Sequence, residues 1–314
     1  MGLTIGVDVG GTKVAAGVVA DDGRVLETTR RSTAARDADA TLAAIVDAVK
    51  ELAAAHPVEA VGLAAAGFVD ARRATMLFSA NLPAWRGEPL REDLMAELDL
   101  PVVVENDANA AAWGEALHGA GQGARHLVCI TVGTGIGGGL IIDGQLYRGG
   151  FGVGAEYGHM RVEPNGRPCG CGNRGCWEQY ASGSALVREA RWRAAEYRDD
   201  AALLLSLGDG EPENIQGREV TEAAQRGDAV AIASFQAVGR WLGQGMADLA
   251  AILDPTLFVI GGGVSEAGDL LVAPARAAYE QALTGRGYRP YAEVRRAELG
   301  NDAGIVGVAD LARR

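Results

Sequence analysis

Three cysteines and a histidine crowd into one short segment, EYGHMRVEPNGRPCGCGNRGCWEQ, residues 156–179. Cys169, Cys171 and Cys176 follow a C-x-C-x4-C spacing, and His159 lies ten positions before the first of them. Three thiolates and one imidazole are the donor set of a closed tetrahedral Zn2+ site. Gly170, Gly172 and Gly175 let the backbone turn tightly enough for the sulfurs to face one point. The competing reading is a loop of buried or disulfide-bonded cysteines, which does not suit a reducing compartment. Four protein donors leave no open position, so the metal is expected to be structural. Its expected effect is to hold Glu156 and Glu178 in place beside it.

A second source of chemistry is Asp107, where the apolar run Pro101-Val102-Val103-Val104 gives way to Glu105-Asn106-Asp107 and an alanine-rich helix over 108–118. Open α/β sheets place ligands at such strand ends. A carboxylate there can accept a hydroxyl proton as general base. Equally, Asn106 or Asp107 can serve only to cap the helix. Glycine turns supply the complement. Gly10, Gly11, Gly133 and Gly135 let backbone N–H groups approach an anion, and Thr12 and Thr134 add hydroxyls. Lys13 offers a cation, or is solvated at its turn. Asp8 could hold Mg2+ through water, a metal that offsets charge in phosphoryl transfer. Gly261, Gly262 and Gly263 follow a strand and could cover a nucleotide base or ribose. None of these loops is a Walker A or G-x-G-x-x-G fingerprint.

These groups need a scaffold, and the pattern supplies one. Residues 5–9 and 14–19 read as a hairpin, and 127–132 with 138–142 repeat the layout, which points to a duplicated fold. Helices are expected over 39–55, 108–118, 229–253 (capped by Asp228) and 303–314, and strands over 58–65, 101–104 and 257–260. Segments 79–90 and 205–217 read as loops. The chain has 314 residues, 48% hydrophobic and 22% charged, with a net charge of -12. That length fits two domains, and that charge disfavours nucleic acid and anionic membranes. No apolar run approaches the roughly 18 residues of a membrane span. No signal-peptide pattern opens the sequence, and Cys129 reads as a buried inert thiol. A cytoplasmic location is expected.

Taken together, D8-V-G-G-T-K13, E105-N-D-A-N-A110, T131-V-G-T-G-I-G-G-G139, E156-Y-G-H159 and C169-G-C-G-N-R-G-C176 resemble the ROK family of sugar kinases and repressors. The resemblance runs over nearly the whole chain, and segment 79–94 resembles the bacterial ATP-dependent glucokinases of that family. It implies an α/β, actin-like (ribonuclease-H-like) two-domain sugar kinase fold with an active-site cleft between the domains. Residues 1–108 plus 302–314 would form a small α/β domain, and 109–301 a large one carrying the zinc loop. Asp107 would be the base for a sugar 6-hydroxyl. Asn81, Asn106, Asp107, Glu156, His159 and Glu178 would bind the sugar, with backbone near Gly67. Asp8, Gly10 to Lys13, Gly133 to Gly135 and Gly261 to Gly263 would surround ATP and Mg2+. His159, Cys169, Cys171 and Cys176 would hold Zn2+, and His159 could use its second nitrogen on the sugar. The chain departs from the family at Ala66, where proline is frequent, which puts the stiffness of the Gly67 loop in question. The family also implies a homodimer or homotetramer.

The expected activity is phosphorylation of glucose at its 6-hydroxyl. A kinase for another hexose (N-acetylglucosamine, N-acetylmannosamine, fructose or allose) uses the same catalytic groups. Polyphosphate or ADP as donor is not distinguished by the loops. A sugar-sensing regulator without catalysis would need a DNA-binding helix-turn-helix, for which the sequence ahead of Asp8 leaves no room.

Overall fold

The computed structural model describes residues 2–314. By internal contacts these fall into two compact units, one running up to Cys129 with Gly138–Ala155 and Glu298–Arg314, the other Ile130–Gly137 with Glu156–Ala297.

The chain opens with β1 (Leu3–Val9), β2 (Lys13–Val19) and β3 (Val25–Ser32), followed by α1 (Ala38–Ala55) and β4 (Val58–Ala65). A small hairpin, β5 (Phe68–Val69) and β6 (Met76–Phe78), leads to α2 (Leu90–Leu98), β7 (Val102–Asn106) and α3 (Asp107–His118). The first sheet has the order β3-β2-β1-β4-β7. β1 pairs antiparallel with β2, from Thr4↔Val19 to Val9↔Val14, and parallel with β4, which pairs parallel with β7. The central strands are apolar on both faces because both are covered. Ile45, Val49 and Leu52 of α1 pack with Ile5, Val7, Val61 and Leu63 in one core. Asp37 starts α1 by accepting Ala40 N at 3.0 Å, and His56-Pro57 ends it.

The chain continues through β8 (Leu127–Val132), β9 (Ile136–Ile142) and β10 (Gln145–Tyr147), then α4 (Glu178–Ala181), α5 (Gly183–Glu196), α6 (Ala202–Leu207), α7 (Gly217–Gln225) and α8 (Ala229–Leu253). It ends with β11 (Leu257–Gly261), α9 (Asp269–Ala282), β12 (Glu293–Arg296) and α10 (Ala303–Ala312). The second sheet has the order β10-β9-β8-β11-β12. Each sheet is thus a three-strand meander extended on its first strand by two later strands, and the duplication legible in the hairpins extends to the whole sheet. α8 has the expected bounds: Asp228 accepts Ala231 N at 2.9 Å, and Asp254 closes the helix in the left-handed region ahead of Pro255.

The compact units do not divide where the sequence suggested, at 108/109 and 301/302. The reason is packing on α3. Trp113 Nε1 donates to Asp310 Oδ2 of α10 at 2.8 Å. Buried Glu115 accepts the backbone N–H groups of Ala120, Glu298 and Leu299 at 2.9, 3.1 and 2.8 Å. Gly139 of β9 lies against Ala112 with no room for a side chain. Helix α3, strand β9 beyond Gly138 and α10 therefore belong with the first sheet. The sequence also missed β3 and β12 as strands.

Candidate active site and metal centre

In the first unit, β7 delivers Glu105, Asn106 and Asp107 to the start of α3. The helix cap is Asn106: its Oδ1 accepts Asn109 N at 2.9 Å, while its Nδ2 donates to Gly67 O at 3.0 Å and to Asp107 Oδ1 at 3.2 Å. Because Asn106 does the capping, Asp107 is left for other work. Burial pushes the Asp107 carboxyl above its ordinary range, against backbone N–H groups that favour the charge. A raised carboxylate is the better proton acceptor. Asp8, at the end of β1, is pushed up to about 6 by burial first and by the charge of Asp107 second, with Lys13 acting the other way. The Asp8 carboxyl also lies beside Gly304, in the first turn of α10. A helix N-terminus favours negative charge.

Glu105, which the sequence reading did not assign, braces this corner. Its Oε1 accepts Asn106 N and Asn109 Nδ2, both at 3.1 Å, and its Oε2 meets Arg148 Nε at 2.6 Å. Its side chain is 2% exposed, so this is a buried ion pair. Breaking such a pair strands a charge. Forty-three positions separate the partners, and no local pattern could have joined them. The Gly67 loop is fixed despite Ala66: Ser79 Oγ donates to Ala66 O at 2.6 Å and accepts Leu82 N at 2.9 Å, while Asn106 holds Gly67 O. Asn81 follows in the same loop, exposed, its carbonyl beside Gly11. Gly10 to Lys13 form the β1–β2 turn, closed by Gly10 N donating to Lys13 O at 3.0 Å, with Thr12 and Lys13 exposed.

In the second unit, the ligand atoms of His159, Cys169, Cys171 and Cys176 all lie within 4.8 Å of one another. His159 Nδ1 is 3.7 Å from Cys169 Sγ, and Cys171 Sγ is 3.6 Å from Cys176 Sγ. A tetrahedral centre with metal–sulfur bonds of about 2.3 Å has edges of about 3.8 Å. The donor set and its spacing fit zinc, and all four cysteines of the chain are free of disulfides. His159 turns its other nitrogen outward, with Nε2 4.0 Å from Glu156 Oε2. Glu178 Oε1 accepts from Cys169 Sγ at 2.9 Å and lies 3.8 Å from His159 Nδ1. Glu178 Oε2 sits where a side chain on Gly135 would project. The sulfur cluster, both flanking glutamates and the second glycine turn thus form one connected patch.

Gly133 N donates to Gly135 O at 3.0 Å, and Gly183 N, at the start of α5, donates to Gly133 O at 2.8 Å. Behind the turn, Gly262 runs at φ +81°, and a Cβ there would lie 2.5 Å from Val132 O. Only glycine fits this close backbone crossing. A cavity of about 1200 Å³ opens alongside, lined by Gly133, Thr134, Gly183, Ser184, Gly263 and Val264, and by the Arg218-Thr221-Glu222 face of α7. Two of the three predicted glycine loops therefore share a cavity within the second unit, whereas Gly10 to Lys13 lie in the first. Sequence reasoning overlooked the α7 wall, although its one-turn spacing was available as a signal.

The pattern of the ROK family matches residues 4–314. The chain belongs to the ROK family. Among ROK relatives, it is 53% identical over 313 residues to the glucokinase of Streptomyces coelicolor, covering 100% of this chain and 98% of that one. It is 36% identical over 308 residues to the glucokinase of Thermotoga maritima, covering 98% and 96%. A ROK family glucokinase from Streptomyces griseus, solved in complex with glucose and AMPPNP, superposes with a TM-score of 0.91 at 55% identity over 99% of both chains. The fold is that of the ROK sugar kinases, actin-like with two ribonuclease-H-like halves.

Proposed function

We propose that this chain is an ATP-dependent glucokinase that transfers the γ-phosphate of ATP to the 6-hydroxyl of glucose. What carries the reading is the full-length likeness to a glucokinase holding glucose and AMPPNP. An uncommitted acid at the corresponding kind of strand end supports it.

Asp107 takes the proton from O6 as that oxygen attacks the γ-phosphorus in line. Its raised pKa makes it a stronger base than a solvated carboxylate, and Asn106 and Glu105 hold the strand end that aims it. Asn81, Asn106 and the Gly67 backbone are the proposed sugar ligands of the β4–β7 segment, and Glu156, His159 and Glu178 those of the cysteine segment, with the two carboxylates accepting from adjacent hydroxyls and His159 Nε2 donating. The Gly10 to Lys13 and Gly133 to Gly135 turns present backbone N–H groups to phosphate oxygens, those of Gly10 and Gly133 excepted because they close the turns, and Gly261 to Gly263 flank the nucleoside. Asp8 is the residue that would hold Mg2+, which would offset the charge of the phosphates. His159, Cys169, Cys171 and Cys176 hold a structural Zn2+ that keeps Glu178 and His159 in register. ATP supply and free thiols both suit a cytoplasmic enzyme. No described helix is long and apolar enough to cross a membrane. A homodimer or homotetramer is the proposed assembly, measurable by light scattering.

The test is coupled turnover with ATP and Mg2+ across a sugar panel, on protein shown to carry zinc. Glucose should be preferred over N-acetylhexosamines and fructose. Preference for another sugar would move the specificity and keep the mechanism. An absence of turnover with every sugar would overturn the reading.

A further inference from the structure

Outside the site described above, the second unit holds a smaller cavity of about 170 Å³, in a groove where α4, α5 and α8 meet the end of the cysteine segment. Four of its lining residues are arginines: Arg167, Arg188, Arg193 and Arg240. The acid among its lining residues, Glu189, is already engaged by Arg193 Nε at 2.9 Å. Four arginines thus share the wall with one carboxylate, and that carboxylate is bound to Arg193, in a chain whose net charge is -12. The floor is aromatic, with the Tyr180 and Trp241 rings 4.6 Å apart and the Arg167 guanidinium 5.8 Å from the Tyr180 ring centre.

Packing alone accounts for arginine stems along a helix groove. It does not account for Arg188. The Nε of Arg188 is buried and has no hydrogen-bond partner, while its Nη2 donates to Gln179 O. Burial, and then the charge of Arg167, push the Arg188 guanidinium below its ordinary range. A buried unpaired donor calls for a missing acceptor. Arginine forks match phosphate oxygens in pairs. The cavity has the room of roughly five or six waters, enough for a phosphate with a short carbon body and too little for a nucleotide. Arg188 also lines the large cavity beside Gly133 and Thr134. An anion in the small cavity would draw the one side chain that both cavities share.

We propose that this arginine-lined cavity binds a small phosphorylated anion, and that Arg188 couples its occupancy to nucleotide binding next door. The binding half stands on its own, and only the kinetic half rests on the kinase reading.

Inorganic phosphate is the first probe, titrated into the full chain with saturating glucose and AMPPNP, so that the phosphate subsites of the nucleotide are filled. The comparison protein carries Arg167→Glu and Arg240→Glu, neither of which is placed in the sugar or nucleotide machinery. Expected for the natural chain are saturable heat on calorimetric titration and a rise in thermal midpoint of about 2 °C or more. The KM for ATP should shift by about threefold. The double variant should keep its basal turnover and lose all three responses. A three-carbon phosphate ester that binds tighter than phosphate would assign the physiological ligand to the larger class. Equal stabilisation of both proteins would mark a general salt effect and overturn the proposal. Saturable binding with an unmoved KM would overturn the coupling. Phosphate binding by a chain without kinase activity would refute the function and leave the site standing.

Discussion

The two halves of this chain carry the same hairpin, and they use it differently. The β1–β2 turn is the more open: Thr12 and Lys13 are exposed, a Cβ on Gly10 would meet nothing nearer than 3.8 Å, only Gly11 is close to a neighbour, the Asn81 carbonyl, and the charges nearby are Asp8 and Asp107. The β8–β9 turn is enclosed by the start of α5, the Gly262 crossing and Glu178. The first is tuned by electrostatics and the second by shape. A duplicated element has thus kept its backbone and divided its labour. Changes of charge should hit the first half, and changes of volume the second.

The largest effect sharpens the electrostatic side. Asp107→Ala should cut turnover about 10²-fold or more, the scale of a lost general base, while sugar binding persists. The same variant should melt higher at pH 8, since the charge that raises Asp8 is gone. Full turnover in a folded, sugar-binding variant would remove Asp107 from its role. Next comes the shape side. Gly262→Ala forces a side chain into a left-handed position and onto Val132 O, which should cost on the order of 1–3 kcal/mol and raise the KM for ATP. Gly263→Ala meets nothing within 4 Å and should stay within about 0.5 kcal/mol. Equal denaturation midpoints for the two would erase the claim that the second loop is shape-limited.

A smaller contrast tests the turns directly. Gly135→Ala would displace Glu178 Oε2, so the KM for glucose should rise by about threefold or more, the scale of one weakened hydrogen bond. Gly10→Ala, whose methyl would meet nothing nearer than 3.8 Å in the protein, should leave the KM for glucose unchanged. The reverse ranking would invert the comparison. The smallest signal is in pH. Asp8 has its folded pKa raised to about 6, so protonation favours the folded state. Its stabilising contribution is fully present below the ordinary carboxylate pKa and is lost as pH rises through about 6. Asp8→Asn should therefore melt higher than the natural chain at pH 8, and the gap should close by pH 4. Activity runs the opposite way, with kcat/KM falling on the acid side at a pKa above the ordinary carboxylate range.

Legibility in the sequence followed the range of the signal. The sulfur cluster was readable because its four ligands span 18 positions and their chemistry admits few partners. Helix α8 was placed to the residue because its cap and its stop are both local. The roles of Asn106 and Asp107 were not separable by sequence, since either side chain can cap; the observed bond from Asn109 N decided it. Edge strands β3 and β12 are polar and exposed along much of their length, so no apolar run announced them. Glu105 with Arg148, and Trp113 with Asp310, are contacts across long sequence separations. They exist only once the sheet is assembled, and they also moved the boundary between the units.

Helix α10 has a consequence for how the molecule is made. It lies so close to β1 and β4 that Gly6 and Gly62 face the carbonyls of Ile305 and Val308 with no space for a methyl group, and Gly307 meets Ala110 in the same way. Strands β1 and β4 are thus made well before the helix that covers one face of their sheet. A chain lacking α10 would keep every proposed catalytic group and have no finished floor beneath Asp8.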